Sequence, residues 1–137
     1  MLVLTSMTGT FEYEKGDKRA VPDFNVFFRH HATYPYYSDA IWYLTQMRRW
    51  GQIEQDKSDD WYKDIAAKVY RPDIYAKAAQ SLIDDKLIPA ADFPDFSKET
   101  GFKAPQTHFI DNLVYDGSKP NAYINSFVIG LKQGDKL

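Results

Sequence analysis

The sequence contains no cysteine. That removes disulfides, thiolate metal sites and a cysteine nucleophile from consideration. It also lacks any stretch near the roughly 20 consecutive apolar residues needed to span a bilayer, so membrane insertion is not expected. No basic block points to nucleic acid, and no acidic run marks a solvating tail. Catalytic motifs are absent too. There is no P-loop, no G-x-G-x-x-G, no H-E-x-x-H and no G-x-S-x-G. No enzyme activity and no cofactor are therefore expected.

What is present is a chain of 137 residues with a net charge of −2, 44% hydrophobic and 26% charged residues, and an aromatic content of 16%. That length suits one domain, which buries about two-thirds of its unfolded surface. Aromatic residues at this density argue against a disordered chain.

Helical signals dominate. Ser38 reads as an N-cap, with Asp39 in the first turn and Arg48 and Arg49 in the last, where each charge complements the helix dipole. Gly51 is the expected stop. Ile41, Leu44, Thr45 and Arg48 form one stripe of this helix, and Trp42 and Met47 an adjoining one; Trp42 is expected in the core. Ser58 caps a second helix carrying Trp61, Ile65 and Val69 at i, i+4, i+8, with Tyr62 and Ala66 beside them. Pro72 ends that run and suits the first turn of a third helix, which extends to about Asp85. Pro120 opens a fourth, with Tyr123, Ile124, Phe127 and Val128 on one side. Residues 86–108 read as loop, and HFIDNLVYDG holds a short strand closed by an Asp-Gly turn. Residues 1–23 read as an extended, irregular arm with a charged turn at EKGDKR. A strand and then an aromatic loop are expected across residues 24–37. The fold class is mainly α (α+β): an arm (1–23), one helical domain with a few short strands (24–132), and a polar tail (133–137).

The histidines do not form a metal site. His30 and His31 are adjacent and would face opposite sides of a strand, and His108 lies far off in sequence. The carboxylate pairs Asp59/Asp60 and Asp84/Asp85 sit at helix ends, where solvation explains them. The best binding candidates are Arg29, His30 and His31, the aromatic loop Tyr34, Tyr36 and Tyr37, and Arg48, Arg49 and Trp50. Arginine presents a planar fork that fits oxyanions and stacks on aromatic rings. Arginine and aromatics also anchor protein interfaces, and arginines in a last helical turn have a structural reason to be there. All three uses stay open.

The stretch FFRHHATYPYYSDAIWYLTQMRRWGQI resembles the C-terminal part of the nitrate/bicarbonate type of ABC-transporter substrate-binding proteins. It looks especially like the binding-protein-like region fused behind the ATPase in cyanobacterial transporters. KVYRPDIYAKAAQSLI, IPAADFP and FIDNLVYDGSKPNAYINSFVIGLK follow in the family's order, so the resemblance covers roughly residues 9–132. It implies the last third of a periplasmic-binding-protein-like fold. Family members hold their oxyanion in a cleft between two lobes, with residues that precede this region, so none of those maps onto a position here. The resemblance implies a non-enzymatic binding or regulatory module of nitrate or bicarbonate transport. It would dock on another protein, such as an ABC-transporter subunit. The alternative is a nitrate, nitrite or bicarbonate module that completes its site by self-association. A homo-oligomer or a stable complex is expected, through Tyr34–Tyr37 and the outer face around Tyr123 and Phe127. Without a signal peptide the expected location is cytoplasmic, or periplasmic if the chain is cut from an exported precursor.

Overall fold

A computed structural model describes residues 9–21 and 29–130, with Arg29 represented by its backbone. The strand expected around residues 24–28, the Arg29 side chain and the tail after Gly130 lie outside the described residues. The chain divides into two compact units between Thr33 and Tyr34, later than the boundary after Asp23 read from the sequence.

In the first unit the expected irregular arm is a β-hairpin. Strands β1 (Thr10–Glu14) and β2 (Asp17–Ala20) pair antiparallel, with Thr10 opposite Ala20, Phe11 opposite Arg19 and an irregularity between Glu12 and Glu14. The charged turn makes this possible. Gly16 takes a φ of 90°, a region L-residues avoid, and its N–H donates to Glu12 Oε1 at 3.0 Å. Arg19 is forked onto Asp17 and lies over the Tyr13 ring. Sequence patterning missed the hairpin because its strands are short and mostly exposed; only Phe11 and Tyr13 alternate with Glu12 and Glu14, and the DKRA strand has no apolar face.

The second unit is helical, with α1 (Tyr37–Arg49), α2 (Asp59–Val69), α3 (Pro72–Asp84) and α4 (Pro120–Ser126). The protein is thus a mainly α, α+β domain, as its sequence predicts. Each helix start had a signal, and one signal was misread. Ser58 caps α2 by accepting from Trp61 N–H at 3.2 Å. Pro72 and Pro120 stand in the first turns of α3 and α4. Ser38, however, is not the cap of α1. The helix begins two residues earlier, at Tyr37, with extended Tyr36 at the cap position, and Ser38 is buried inside the first turn. Its N–H donates to the Gly101 carbonyl at 3.3 Å, and its hydroxyl accepts from Lys103 N–H at 3.2 Å. A distant strap supplies the cap that the sequence assigned to a local side chain. At the other end Gly51, at φ 77°, closes the helix as expected.

The core is built where α1 meets α2 and α4. Ala40 and Ile41 pack with Tyr62, Ala66 and Ile124. The fully buried stripe of α1 is Ser38, Ile41, Thr45 and Arg48. On α2 the buried pair is Tyr62 and Ala66, one residue round from the expected Trp61–Ile65–Val69 stripe, and Val69 is exposed. A second cluster joins Tyr115, Tyr123 and Phe127, with Trp42 stacked on Phe109 at its edge. Trp42 is half-buried rather than central, so Trp42→Ala should cost less than truncating Tyr62. Val128 does not continue the α4 face, because the helix ends at Ser126 and Val128 is exposed. The stretch before α4 carries a single antiparallel bridge, Gln106 to Tyr115, in place of a strand. Asn121 ties α4 to the start of α2, donating from its side chain to Lys57 O (2.9 Å) and Asp59 Oδ1 (2.7 Å). Asp59 is therefore a structural acceptor. No described helix is long and apolar enough to cross a membrane.

The Tyr115 hydroxyl donates to the Ser38 carbonyl in a buried site, and burial raises its pKa. Tyr115→Phe leaves that carbonyl short of a donor and should cost about 1–3 kcal/mol by urea denaturation.

Candidate functional site

The sequence candidates separate into three places. His30 and His31 lie in a 3₁₀ turn of the first unit, both at positive φ (60° and 56°). They do not adopt the strand geometry assumed for them. No group of three or more potential metal ligands occurs among the described residues.

Tyr34, Tyr36 and Tyr37 stand at the N-terminal end of α1. Tyr34 is buried, meeting Tyr36 and Tyr75 edge-on at 4.6 and 5.3 Å and Phe96 at 6.3 Å. Its phenol is pushed up to about 12, first by burial and then by Glu99 and the neighbouring tyrosines. Tyr37 packs on Phe102 and against the main core. Lys103 ties down the same end, bonding both Asp39 oxygens (2.9 and 2.7 Å) and lying over the Tyr36 ring. The loop expected to be an exposed docking face is thus largely internal packing. Tyr123 and Phe127, the other face expected to be open, are buried as well. Tyr123 and Phe127 pack inward with Tyr115, and of the Tyr34–Tyr37 loop Tyr34 is buried while Pro35, Tyr36 and Tyr37 are half-buried.

Arg48, Arg49 and Trp50 stand at the C-terminal end of α1. Arg48 is 3% exposed. Its Nε and Nη2 donate to Asp56 Oδ1 at 3.2 and 2.6 Å, and its Nη1 donates to the Ile53 carbonyl at 3.2 Å. This fork pins the loop after α1. Its carboxylate partner is open to water, with 92% of the Asp56 side chain exposed. Asp56→Ala should therefore cost about 1–2 kcal/mol in a melting experiment, below the 3–5 typical of a fully buried pair. Arg49 donates from Nε to the Ile129 carbonyl at 2.7 Å and lies over the Phe127 and Trp50 rings at 4.1 and 4.9 Å. Trp50 itself is 48% exposed, and Val128 and Ile129, in the segment that Arg49 binds, are 97% and 68% exposed.

Comparison with known proteins places the chain. It is 32% identical over 131 residues to the nitrate/nitrite binding protein NrtA of Nostoc sp., covering 93% of this chain and 26% of that protein. It is 29% identical over 121 residues to the nitrate import ATP-binding protein NrtC of Synechocystis sp., covering 86% of this chain and 16% of the relative. The bicarbonate-binding protein CmpA of Synechococcus elongatus matches at 33% over 103 residues, 71% of this chain and 20% of that one. The chain is related to one part of the nitrate- and bicarbonate-type ABC-transporter proteins. It spans about a quarter of the first of these relatives and less of the others. Nitrate/nitrite- and bicarbonate-binding proteins and an ATP-binding protein all appear among its relatives, as the resemblance read from the sequence implies. No family model matches the chain, and no solved structure matches it.

The helix expected after Tyr37 is present as α1, with its start misplaced and the charged groups at both ends tied by later residues. Sequence patterning ranked both arginines as binding candidates because it could not see Asp56 and Ile129 arriving from later in the chain. It overlooked Glu99, Gly101 and Lys103, which gather around the start of α1. Those residues lie in a stretch without period or motif, and nothing local distinguishes them.

Proposed function

We propose that this chain is a non-enzymatic binding or regulatory module of nitrate or bicarbonate transport. It acts in the cytoplasm by docking on another protein, an ABC-transporter subunit. The observation that carries the reading is the patch at the end of α1. An exposed tryptophan is stacked on an arginine that is held in place by a backbone bond to a segment carrying two exposed aliphatic side chains. Tryptophan and arginine dominate interface hot spots. A guanidinium already ordered by the Ile129 carbonyl loses little further freedom on binding. The relationship to an ATP-binding transport protein supports the choice of partner and compartment. The alternative, an oxyanion module completed by self-association, has less in its favour. Both guanidinium groups of α1 are held by internal acceptors, Tyr34, Tyr123 and Phe127 are buried, and Tyr36 and Tyr37 are half-buried.

Trp50→Ala is expected to weaken binding to purified transporter subunits by about 30-fold or more, the size of a hot-spot loss near 2 kcal/mol. The melting temperature should barely change. Surface plasmon resonance on wild type and variant makes the comparison. Unchanged affinity would remove the patch from the interface. Calorimetry with nitrate, nitrite and bicarbonate, paired with a mass measurement, tests the alternative directly.

A further inference from the structure

The other end of α1 holds a cavity that the docking reading does not use. About 230 Å³ of free space opens between α1, the start of α3 and the loop at residues 96–101, several times what one water requires. Tyr34, Tyr37 and Phe96 supply aromatic walls, and Glu99 and Asp73 supply carboxylates.

The charge of this lining is unbalanced. Asp73 is neutralised by Arg71, which bonds it through Nε (2.8 Å) and Nη2 (2.7 Å). That pairing holds the Asp73 carboxyl down at about 2. Glu99 is half-buried, and no lysine or arginine pairs with it among the described residues. The nearest lysines are committed elsewhere, Lys98 to Asp95 and Lys103 to Asp39. The Glu99 carboxylate is nevertheless fixed in place. Its Oε1 accepts from Gly101 N–H at 2.9 Å, and the pKa of the Tyr36 phenol is raised first by burial and then by the Glu99 charge. The Glu99 charge is also felt at Tyr34, whose phenol it helps to hold protonated. A positioned, unpaired anion beside aromatic walls attracts a cation and repels an anion.

We propose that this cavity binds an organic monocation, a guanidinium or primary ammonium group, with Glu99 as its counter-charge and Tyr34, Tyr37 and Phe96 as its aromatic walls. Such a group can belong to a free small amine or to an arginine or lysine side chain of a partner. The chemistry is opposite in sign to the oxyanions named by this chain's relatives. The site also lies one helix length from Trp50, roughly 20 Å for a helix of this size, so it stands independently of the docking patch.

The Gly101 amide bonded to Glu99 is a built-in reporter. In ¹H–¹⁵N spectra of the full chain, guanidinium chloride, butylammonium chloride and acetyl-arginine methylamide are titrated separately against a sodium chloride control. A saturable shift of the Gly101 amide is expected with the cations and not with sodium nitrate. Glu99→Gln should weaken it by about tenfold or more, since a charge-assisted bond is lost. Phe96→Leu, which keeps the carboxylate, should weaken it severalfold and serves if the first variant fails to fold. Binding of the arginine derivative at least as tight as guanidinium assigns the cation to a partner's side chain. Binding of butylammonium and guanidinium with exclusion of the derivative assigns it to a free small amine. Absence of a saturable shift with every cation, a shift produced by nitrate, or undiminished binding in a folded Glu99→Gln or Phe96→Leu variant would overturn the proposal.

Discussion

Truncating Tyr62 to alanine is expected to lower the stability of the helical unit by about 3–5 kcal/mol, the largest loss for any single side chain here. Tyr62 is 0% exposed and is the largest of the fully buried side chains. It joins α2 to Ala40 and Ile41 of α1 and to Ile124 of α4, so its loss opens a cavity where three helices meet. A domain of this size has only about 5–15 kcal/mol in reserve, and the variant should unfold at much lower urea. The companion variant, Tyr62→Phe, tests the same site with the opposite sign. The Tyr62 hydroxyl is buried without a hydrogen-bond partner among the described residues, and burial raises its pKa, with Arg48 opposing. Removing an unpaired buried hydroxyl should leave stability unchanged or raise it by about 1 kcal/mol. Equal losses in the two variants would mean that the hydroxyl, not the ring, carries the contribution.

The second large effect is expected at Gly101. This residue has a φ of 79°, and a Cβ built on it would lie 2.5 Å from Cδ2 and 2.9 Å from Cε2 of Tyr37. An L-residue pays about 1–2 kcal/mol for left-handed backbone, and overpacking adds about 1–3 kcal/mol. Gly101→Ala should thus cost about 2–5 kcal/mol. The Tyr37 ring cannot yield freely, since it is packed on Phe102 and the main core. Gly101 also caps α1 through its carbonyl and holds Glu99 through its N–H. The loss should therefore come with fraying of the first turn of α1, seen as faster amide exchange at Ser38 and Asp39. Slow exchange there, with a melting temperature near wild type, would contradict the strap geometry.

The order and class of the helices were legible because their signals are local. Ser58, Pro72, Pro120 and Gly51 act within a few residues of where they stand, and the 3.6-residue period marks an apolar face without reference to the rest of the chain. The family relationship was legible for the same reason, as ordered blocks of sequence.

Partnership was not legible, because partners arrive from far along the chain. Ser38 looked like a cap until the Gly101 carbonyl took that role and the Lys103 N–H claimed the Ser38 hydroxyl, across more than 60 residues. Arg48 and Arg49 looked free until Asp56, Ile53 and Ile129 met their forks. Tyr34, Tyr123 and Phe127 looked exposed because aromatic residues pack equally well in a core and at an interface, and only the surrounding rings decide which. By itself, then, the sequence determined a helical domain without cysteine, without catalytic motifs and related to part of a transport family. The tertiary structure decided which arginines are already held, which aromatics face inward, and that Glu99, beside Tyr34, meets no lysine or arginine among the described residues. Helix formation depends on neighbours a turn away, whereas burial and charge pairing depend on groups brought together only when the chain closes on itself.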